Sequence, residues 1–403
     1  MKHTMKRTLA VLMAALLLLT CWVTAAAEDA APAGKTLKFG SDGKFTILHV
    51  SDPQDDQYPA HALGSFLAQA ISMSQPDLII FTGDMVEDTR WGDPGVDDFP
   101  LWEGVVVPGS TAKTRANAFK AADYVLSILN SCGIPFAVTQ GNNDYKVKVS
   151  NSDWLDFYAQ YENNVTVDMS DNSEGIDYRL PIYGSDGSEV KFNIYCMDSG
   201  EHMTGAASVD WYVADSNAQK EANGKTVPAF AFQHIPVDEL HHLFVTCDKN
   251  DPDGVLAVGF DGFRYYKLAD GAHGYFSSVY YGDTGESDEF KSWKQQGDVI
   301  AAFFGHMHQD GFSGVYDGIE LNMTYGCEFA KSGPYGVRVI TLDENDVTNY
   351  ENTIYSFDKN AADCGFSADP YDAPQRSFMD KVKLFIDSLL YIAKTMIKKV
   401  LPV

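Results

Sequence analysis

Six short apolar runs, each ending abruptly in polar or glycine residues, limit what this chain can fold into more than any other feature. They are "FTILHVSD", "DLIIFTGD", "IPFAVTQGNND", "VKFNIYCMDSG", "VPAFAFQH" and "DVIAAFFGHMH". Runs of this length rich in Val, Ile and Phe read as buried strands. Between them lie helical patterns. Ala62, Phe66, Ala70 and Met73 recur at helical spacing within residues 59–74, and residues 112–131 and 208–220 behave alike. Strand alternating with helix implies a largely parallel sheet covered by helices. Farther on, "DGFSGVYDGIELNMTYG", "GVRVITLDEND" and "TNYENTIYSF" read as hairpin-linked strands with glycine turns. The expectation is a mixed α/β fold with parallel and antiparallel strands.

The ends of the chain carry different signals. A basic segment "MKHTMKR", an apolar run "LAVLMAALLLL" and an A-x-A pattern at Ala25 to Ala27 form the layout of a secretory signal peptide, residues 1–27, cleaved after Ala27. The apolar run is too short to span a bilayer, which takes about 20 residues. Lipidation at Cys21 is the alternative, with Thr20 a poor fit before it. The protein is thus expected to be secreted or extracytoplasmic, with cell-surface association open. Residues 35–360 read as one catalytic domain, since no internal repeat or Pro- or Ser-rich linker interrupts them. Residues 361–403 read as a linker and a C-terminal helix. There Phe378, Val382, Phe385, Leu389, Ile392 and Met396 line one face, and lysines accompany them. Docking on the domain, contact with an anionic membrane surface and self-association are the three uses open to such a helix.

Charge excludes one class of partner. Losing Lys2, Lys6 and Arg7 with residues 1–27 leaves 27 basic against 56 acidic residues, a formal charge of −29. Long nucleic acids, whose affinity comes mainly from phosphate neutralisation, are not expected partners. Small phosphorylated substrates stay open, because bound cations reverse the sign locally. The five cysteines after residue 27 are odd in number and dispersed, so they are no disulfide framework.

The polar residues that end the apolar runs are Asp52 and Gln54, Asp84, Asn142, His234, and the pair His306 and His308. Singly, each has an ordinary explanation. An Asp after a strand is usually a helix cap, "GN" is usually a turn, and a lone His is more often structural than a ligand. Together, carboxylates, an amide oxygen and imidazoles are the ligand set of a two-metal phosphoryl-transfer site. The metals there polarise the phosphoryl oxygens and lower the pKa of a water that becomes the nucleophile.

The order D-x-Q, GD, GNND, H and GHMH resembles the calcineurin-like metallophosphoesterase superfamily, whose usual form is D-x-H, GD, GNH(D/E), H and GHxH. The motifs "FTILHVSD", "IIFTGD", "YCMDSG", "FQHIP" and "GHMHQDGF" look like its single-domain branch related to plant purple acid phosphatases. The resemblance runs from about residue 44 to 342. It implies a four-layer αββα sandwich with two mixed sheets. It also implies two divalent or trivalent cations, drawn from Mn, Fe, Zn and Mg. Asp84 would bridge them. Asp52, Gln54 and His308 would complete the first, and Asn142, His234 and His306 the second. The implied activity is hydrolysis of small phosphomonoesters or phosphodiesters by a metal-bound hydroxide.

The sequence departs from that pattern twice. Gln54 stands where His is usual, which favours harder cations such as Mn²⁺, Mg²⁺ or Fe over Zn²⁺. Glu87 is a candidate compensating ligand, against the simpler reading of a solvated acidic loop. Asn143 replaces the His that usually protonates the leaving oxygen, a contribution typically worth ~10²–10⁴ in rate. His241 and His242 are candidate substitutes, and Asp144 is expected to orient Asn143 or cap the next turn. His49, His61 and His273 receive no role, and His202 is placed near the cleft. A second reading is a weakened relative that binds a phosphorylated ligand or wall polymer without turnover; the otherwise intact ligand set argues against it.

Overall fold

The central strands are buried on both faces, and alternate side chains along them enter different apolar layers. The computed structural model describes residues 35–357, apart from residues 56, 58, 88–98, 103–104, 108–110, 148, 171, 173–174, 260–261, 280–285 and 330–332. The expected signal peptide and the C-terminal helix lie outside the described residues. Among those described, no helix is long and apolar enough to cross a membrane.

Two sheets form the centre of the unit that begins at Thr36. The first has five strands in the order Glu351–Phe357, Tyr335–Asp343, Lys44–Val50, Leu78–Thr82 and Phe136–Thr139. Lys44–Val50, Leu78–Thr82 and Phe136–Thr139 run parallel, and the remaining pairs are antiparallel. The second has seven strands in the order His273–Tyr275, Gly311–Tyr316, Ile319–Met323, Val299–Phe304, Ala229–Gln233, Val190–Cys196 and Tyr178–Tyr183. Its four inner strands, Ile319–Met323 through Val190–Cys196, are parallel and its outer pairings antiparallel. Both sheets are mixed, as the change from alternating helices to glycine-turn hairpins predicts.

Leu78 and Ile80 pack with Ile194, Phe230 and Phe303 of the opposite sheet. Their neighbours Ile79 and Phe81 point the other way, onto Leu67, Val125 and Leu129 of helices His61–Ser74 and Thr111–Cys132. On the far side, Ala231, Ala302 and Phe304 meet Tyr212, Phe290 and Trp293 of helices Ala206–Asn223 and Asp288–Gln296. The order is helix, sheet, sheet, helix. Helix His61–Ser74 illustrates why the outer layers stick: Leu63, Phe66, Leu67 and Ala70 form one fully buried stripe at i, i+3, i+4 and i+7.

A histidine sits between the sheets. His49 packs edge-on against Phe232 and Phe303, with its ring nitrogens 2.7 Å from Thr82 Oγ1 and 3.0 Å from Thr324 Oγ1. Burial holds its pKa well below the ordinary imidazole value, and the charge of Arg338 adds to the effect. A group kept neutral in the fold but free to protonate when unfolded costs nothing above the unfolded value of about 6.5 and destabilises below it. We therefore expect urea unfolding of metal-free protein to show wild type losing stability faster than His49→Gln below pH 6.5. The difference should approach about 1.4 kcal/mol per pH unit; parallel profiles would mean that His49 protonates freely in the fold.

Candidate metal centre

Strand ends, strained turns and close glycines bring the polar residues together. Asp52 and Gln54 follow strand Lys44–Val50, Asp84 follows Leu78–Thr82, and Asn142 follows Phe136–Thr139. These three strands are parallel neighbours, so their carboxyl ends lie side by side. His234 and His306 follow Ala229–Gln233 and Val299–Phe304, parallel neighbours of the other sheet. The backbone turns sharply at these points. Asp52, Gln54, Asp84 and His306 have φ of 50°, 33°, 51° and 75°, in the left-handed region that L-residues seldom occupy. Such strain collects where surrounding structure forces a side chain into a working position. The glycines of "GD" and "GNND" face each other: a Cβ on Gly83 would lie 2.5 Å from Gly141 N, and one on Gly141 would lie 2.2 Å from Asp84 N. Neither position admits a side chain.

Asp84 is the hub of the cluster. Its Oδ1 accepts the Asn143 backbone N–H at 2.7 Å, and its Oδ2 accepts from Gln54 Nε2 at 3.2 Å and lies 3.4 Å from His234 Nε2. His234 Nδ1 donates to the Thr82 carbonyl at 2.7 Å. That bond places the proton on Nδ1 and leaves Nε2 as the ligand atom. Around Nε2 also stand Asn142 Oδ1 at 3.0 Å and His306 Nδ1 at 3.3 Å. Asp52 accepts from Ser51 Oγ at 2.5 Å and from the His306 backbone N–H at 3.0 Å through Oδ2, while its Oδ1 lies 3.3 Å from His308 Nε2.

Asp52, Asp84 and His234 offer ligand atoms that all lie within 4.8 Å of one another, and all three are buried. Asn142, His306, His308 and Gln54 stand around them at the distances above. Two observations fit cations here. Asp52 Oδ1 and Gln54 Oε1 are buried oxygens that accept no hydrogen bond, and such atoms are rare unless water or an ion serves them. The charges also conflict. Burial drives the Asp52 pKa up, whereas at Asp84 burial is outweighed by His234 and the value falls. His234 and His308 are each raised to about 9, burial being overcome by Asp84 and Asp52 respectively. His306 is lowered to about 3, first by burial and then by His234. Bound cations would take the place of the protons that these raised pKa values put on His234 and His308.

Other residues singled out in the sequence fall in varied places. Asp144 Oδ2 accepts the backbone N–H of Gly141 at 2.9 Å and of Met85 at 3.3 Å, so it ties the two glycine turns together. Burial, then Asp84, raises its pKa to about 8. Asn143 Oδ1 accepts from Asn142 Nδ2 and from Lys146 Nζ, both at 3.0 Å. The Glu87 backbone N–H donates to Asp55 O. His202 is exposed on the turn after "MDSG". His242 stacks on Tyr316 with ring centroids 4.2 Å apart. Tyr316 ends its strand, whose Phe312 is level with Met323 and Phe304. At ~3.3 Å per residue, the stack lies roughly 13 Å along the sheet from the ligand-bearing end. His241 belongs to the same short helix, Asp238–Leu243, its ring centroid 6.5 Å from that of His242. The pairing between Gly311–Tyr316 and Ile319–Met323 thus sets Tyr316, and with it the His242 stack, at the strand end opposite Gly311.

Three contributors carry no motif and were missed. Glu328 is buried, with Oε2 2.8 Å from His308 Nδ1, and so orients that ring as a carboxylate behind a ligand histidine does. Ser277 and Ser278 donate their hydroxyls to Asp310 at 2.9 and 2.8 Å. They line, with His306, His308, Gln309 and Tyr335, a cavity of about 540 Å³ beside the centre. Only the proximity of "GCE" to "GHMH" in the folded sheet reveals Glu328. Glu328→Gln should weaken Mn²⁺ binding by about 10- to 100-fold, as loss of such an outer carboxylate usually does. Calorimetric titration at fixed pH measures this, and an unchanged affinity would remove Glu328 from the site.

The family model described as calcineurin-like phosphoesterase matches residues 45–310. The Arabidopsis thaliana protein named "Probable inactive purple acid phosphatase 29" is 25% identical, over 77% of this chain and 80% of its own. "Probable inactive purple acid phosphatase 28" of the same plant is 24% identical, over 70% of each chain. A solved dimetal phosphatase from Danio rerio aligns with 77% of this chain and 98% of its own at 11% identity and a TM-score of 0.43. With more than half of its length matched by the family model, and with a buried ligand cluster where its strands end, the chain belongs to the calcineurin-like phosphoesterase family.

Proposed function

We propose that the protein is an extracytoplasmic, metal-dependent phosphoesterase acting on small phosphomonoesters or phosphodiesters. The observation that carries this reading is the convergence of Asp52, Asp84 and His234, flanked by Asn142, His306 and His308, at the ends of both sheets. Asp84 stands between the two groups of ligands and would hold two cations together. Bound there, the cations supply Lewis acidity toward phosphoryl oxygens and lower the pKa of water. The amide of Gln54 favours Mn, Fe or Mg over Zn. The cavity of about 540 Å³ next to His306 and His308 suits a small substrate. The N-terminal layout of residues 1–27 supports export.

An amide at Asn143 has no proton acidic enough to give to a leaving oxygen at neutral pH. The leaving group therefore departs with little protonation, and its own basicity governs the rate. Purified protein loaded with Mn²⁺, Mg²⁺, Fe or Zn²⁺ should cleave aryl esters far faster than alkyl esters. Asp84→Asn should abolish turnover of both. Equal rates on aryl and alkyl substrates would show that another acid serves the site.

A second reading, binding without turnover, is favoured by one observation besides Asn143: the plant relatives carry the word inactive in their names. It predicts stoichiometric phosphate binding by the loaded protein with no hydrolysis of any ester in that panel. Substoichiometric metal after reconstitution would count against the enzyme reading from the start.

A further inference from the structure

Asn143 does more than lack a proton. Its side-chain oxygen is the acceptor for Lys146 Nζ at 3.0 Å, one helical turn along Asn142–Lys146. The same oxygen accepts Asn142 Nδ2, and Asn142 Oδ1 is 3.0 Å from His234 Nε2. A polar path through two side chains, Asn142 and Asn143, thus joins Nε2 of His234 to an ammonium group.

We propose that Lys146 is an anion-contacting residue of the phosphate subsite, held in place by Asn143, and that it binds non-bridging phosphoryl oxygens. The inference rests on the phosphoesterase reading for its substrate, but its geometry stands independently. A histidine at position 143 would put a second positive or donor group against the ammonium. An asparagine instead presents an acceptor and steers the lysine. The need for such a charge follows from the chain as a whole. A formal charge of −26 repels a phosphate dianion, and the buried centre itself holds Asp52, Asp84, Asp144 and Glu328. Bound cations offset the carboxylates, and one ammonium at the rim then favours the anion locally. An ammonium is a point charge with three donors, suited to phosphate oxygens whose exact placement varies with the ester.

The test separates this role from proton donation and from the enzyme reading. Wild type, Lys146→Met and Lys146→Arg would be loaded with Mn²⁺ and titrated with inorganic phosphate by calorimetry, with matched thermal melts to confirm folding. Lys146→Met should bind phosphate about 10- to 100-fold more weakly, the range of one charge-assisted hydrogen bond, and Lys146→Arg should retain most of the affinity. Where turnover is measurable, kcat/KM should fall by one common factor for aryl and alkyl esters, because a contact to non-bridging oxygens is indifferent to the leaving group. A larger loss on alkyl esters would make Lys146 an acid and overturn the stated role. Phosphate affinity unchanged in Lys146→Met, or no phosphate binding by loaded wild type, would also overturn it. If wild type hydrolyses nothing while Lys146→Met still loses phosphate affinity, the enzyme reading fails and the subsite stands. If wild type is active and Lys146→Met binds phosphate as well as wild type, the reverse holds.

Discussion

The carboxylate of Asp84 is the contact on which the arrangement depends. Strand Leu78–Thr82 delivers it from the five-stranded sheet, and the imidazole of His234 meets it from the seven-stranded sheet at 3.4 Å. The neighbouring carbonyl of Thr82 holds His234 Nδ1, so a single strand end both presents the carboxylate and fixes the tautomer of its partner. The Asn143 backbone N–H on the other oxygen of Asp84 couples the "GNND" turn to the same point. Removing this carboxylate would therefore free three segments at once.

Concentrating acids and imidazoles in a dry place is unfavourable unless something balances them. Here the groups divide the difficulty unevenly. Burial raises Asp52 and Asp144, whereas His234 keeps Asp84 ionised, and His306 stays neutral beside a charged His234. A pair of cations would satisfy Asp52, Asp84, His234 and His306 together, including Asp52 Oδ1 and, at Gln54, Oε1, which accept no hydrogen bond. The left-handed backbone at Asp52, Gln54, Asp84 and His306 belongs to the same bargain: local conformational cost is accepted where the two packed sheets over-determine the turn.

Asn143 and Lys146 show how a replacement in a motif changes the job of its neighbours. The oxygen that Asn143 presents accepts the Lys146 ammonium and so fixes where that charge sits. Its effect is confined to one side of the cleft. On the other side, Glu328 steadies His308 and Asp310 gathers Ser277 and Ser278, giving that wall hydroxyls and a carboxylate.

Residue patterning alone makes the mixed α/β character and most of the candidate ligands legible; the four layers came from the family resemblance. Strongly apolar runs such as "DLIIFTGD" have to be buried on both faces, and the polar residues that end them have to lie at one edge of a sheet. That much made Asp52, Asp84, Asn142, His234, His306 and His308 legible as candidates. Helix His61–Ser74 was legible from its helical spacing, although the buried stripe is Leu63, Phe66, Leu67 and Ala70, and Met73 at the end of the expected stripe is exposed. The remaining site residues are distant in the chain and follow no periodicity, so only folding reveals them. Glu328 follows an ordinary strand, and its meaning depends on "GCE" folding back beneath His308. His242 follows His234 closely in sequence, yet it is strand pairing that sets where its stack on Tyr316 lies. Lys146 looks like a solvated lysine until one helical turn sets it on Asn143. Sequence order records which strand a residue ends; the angle and register between strands decide what that residue touches.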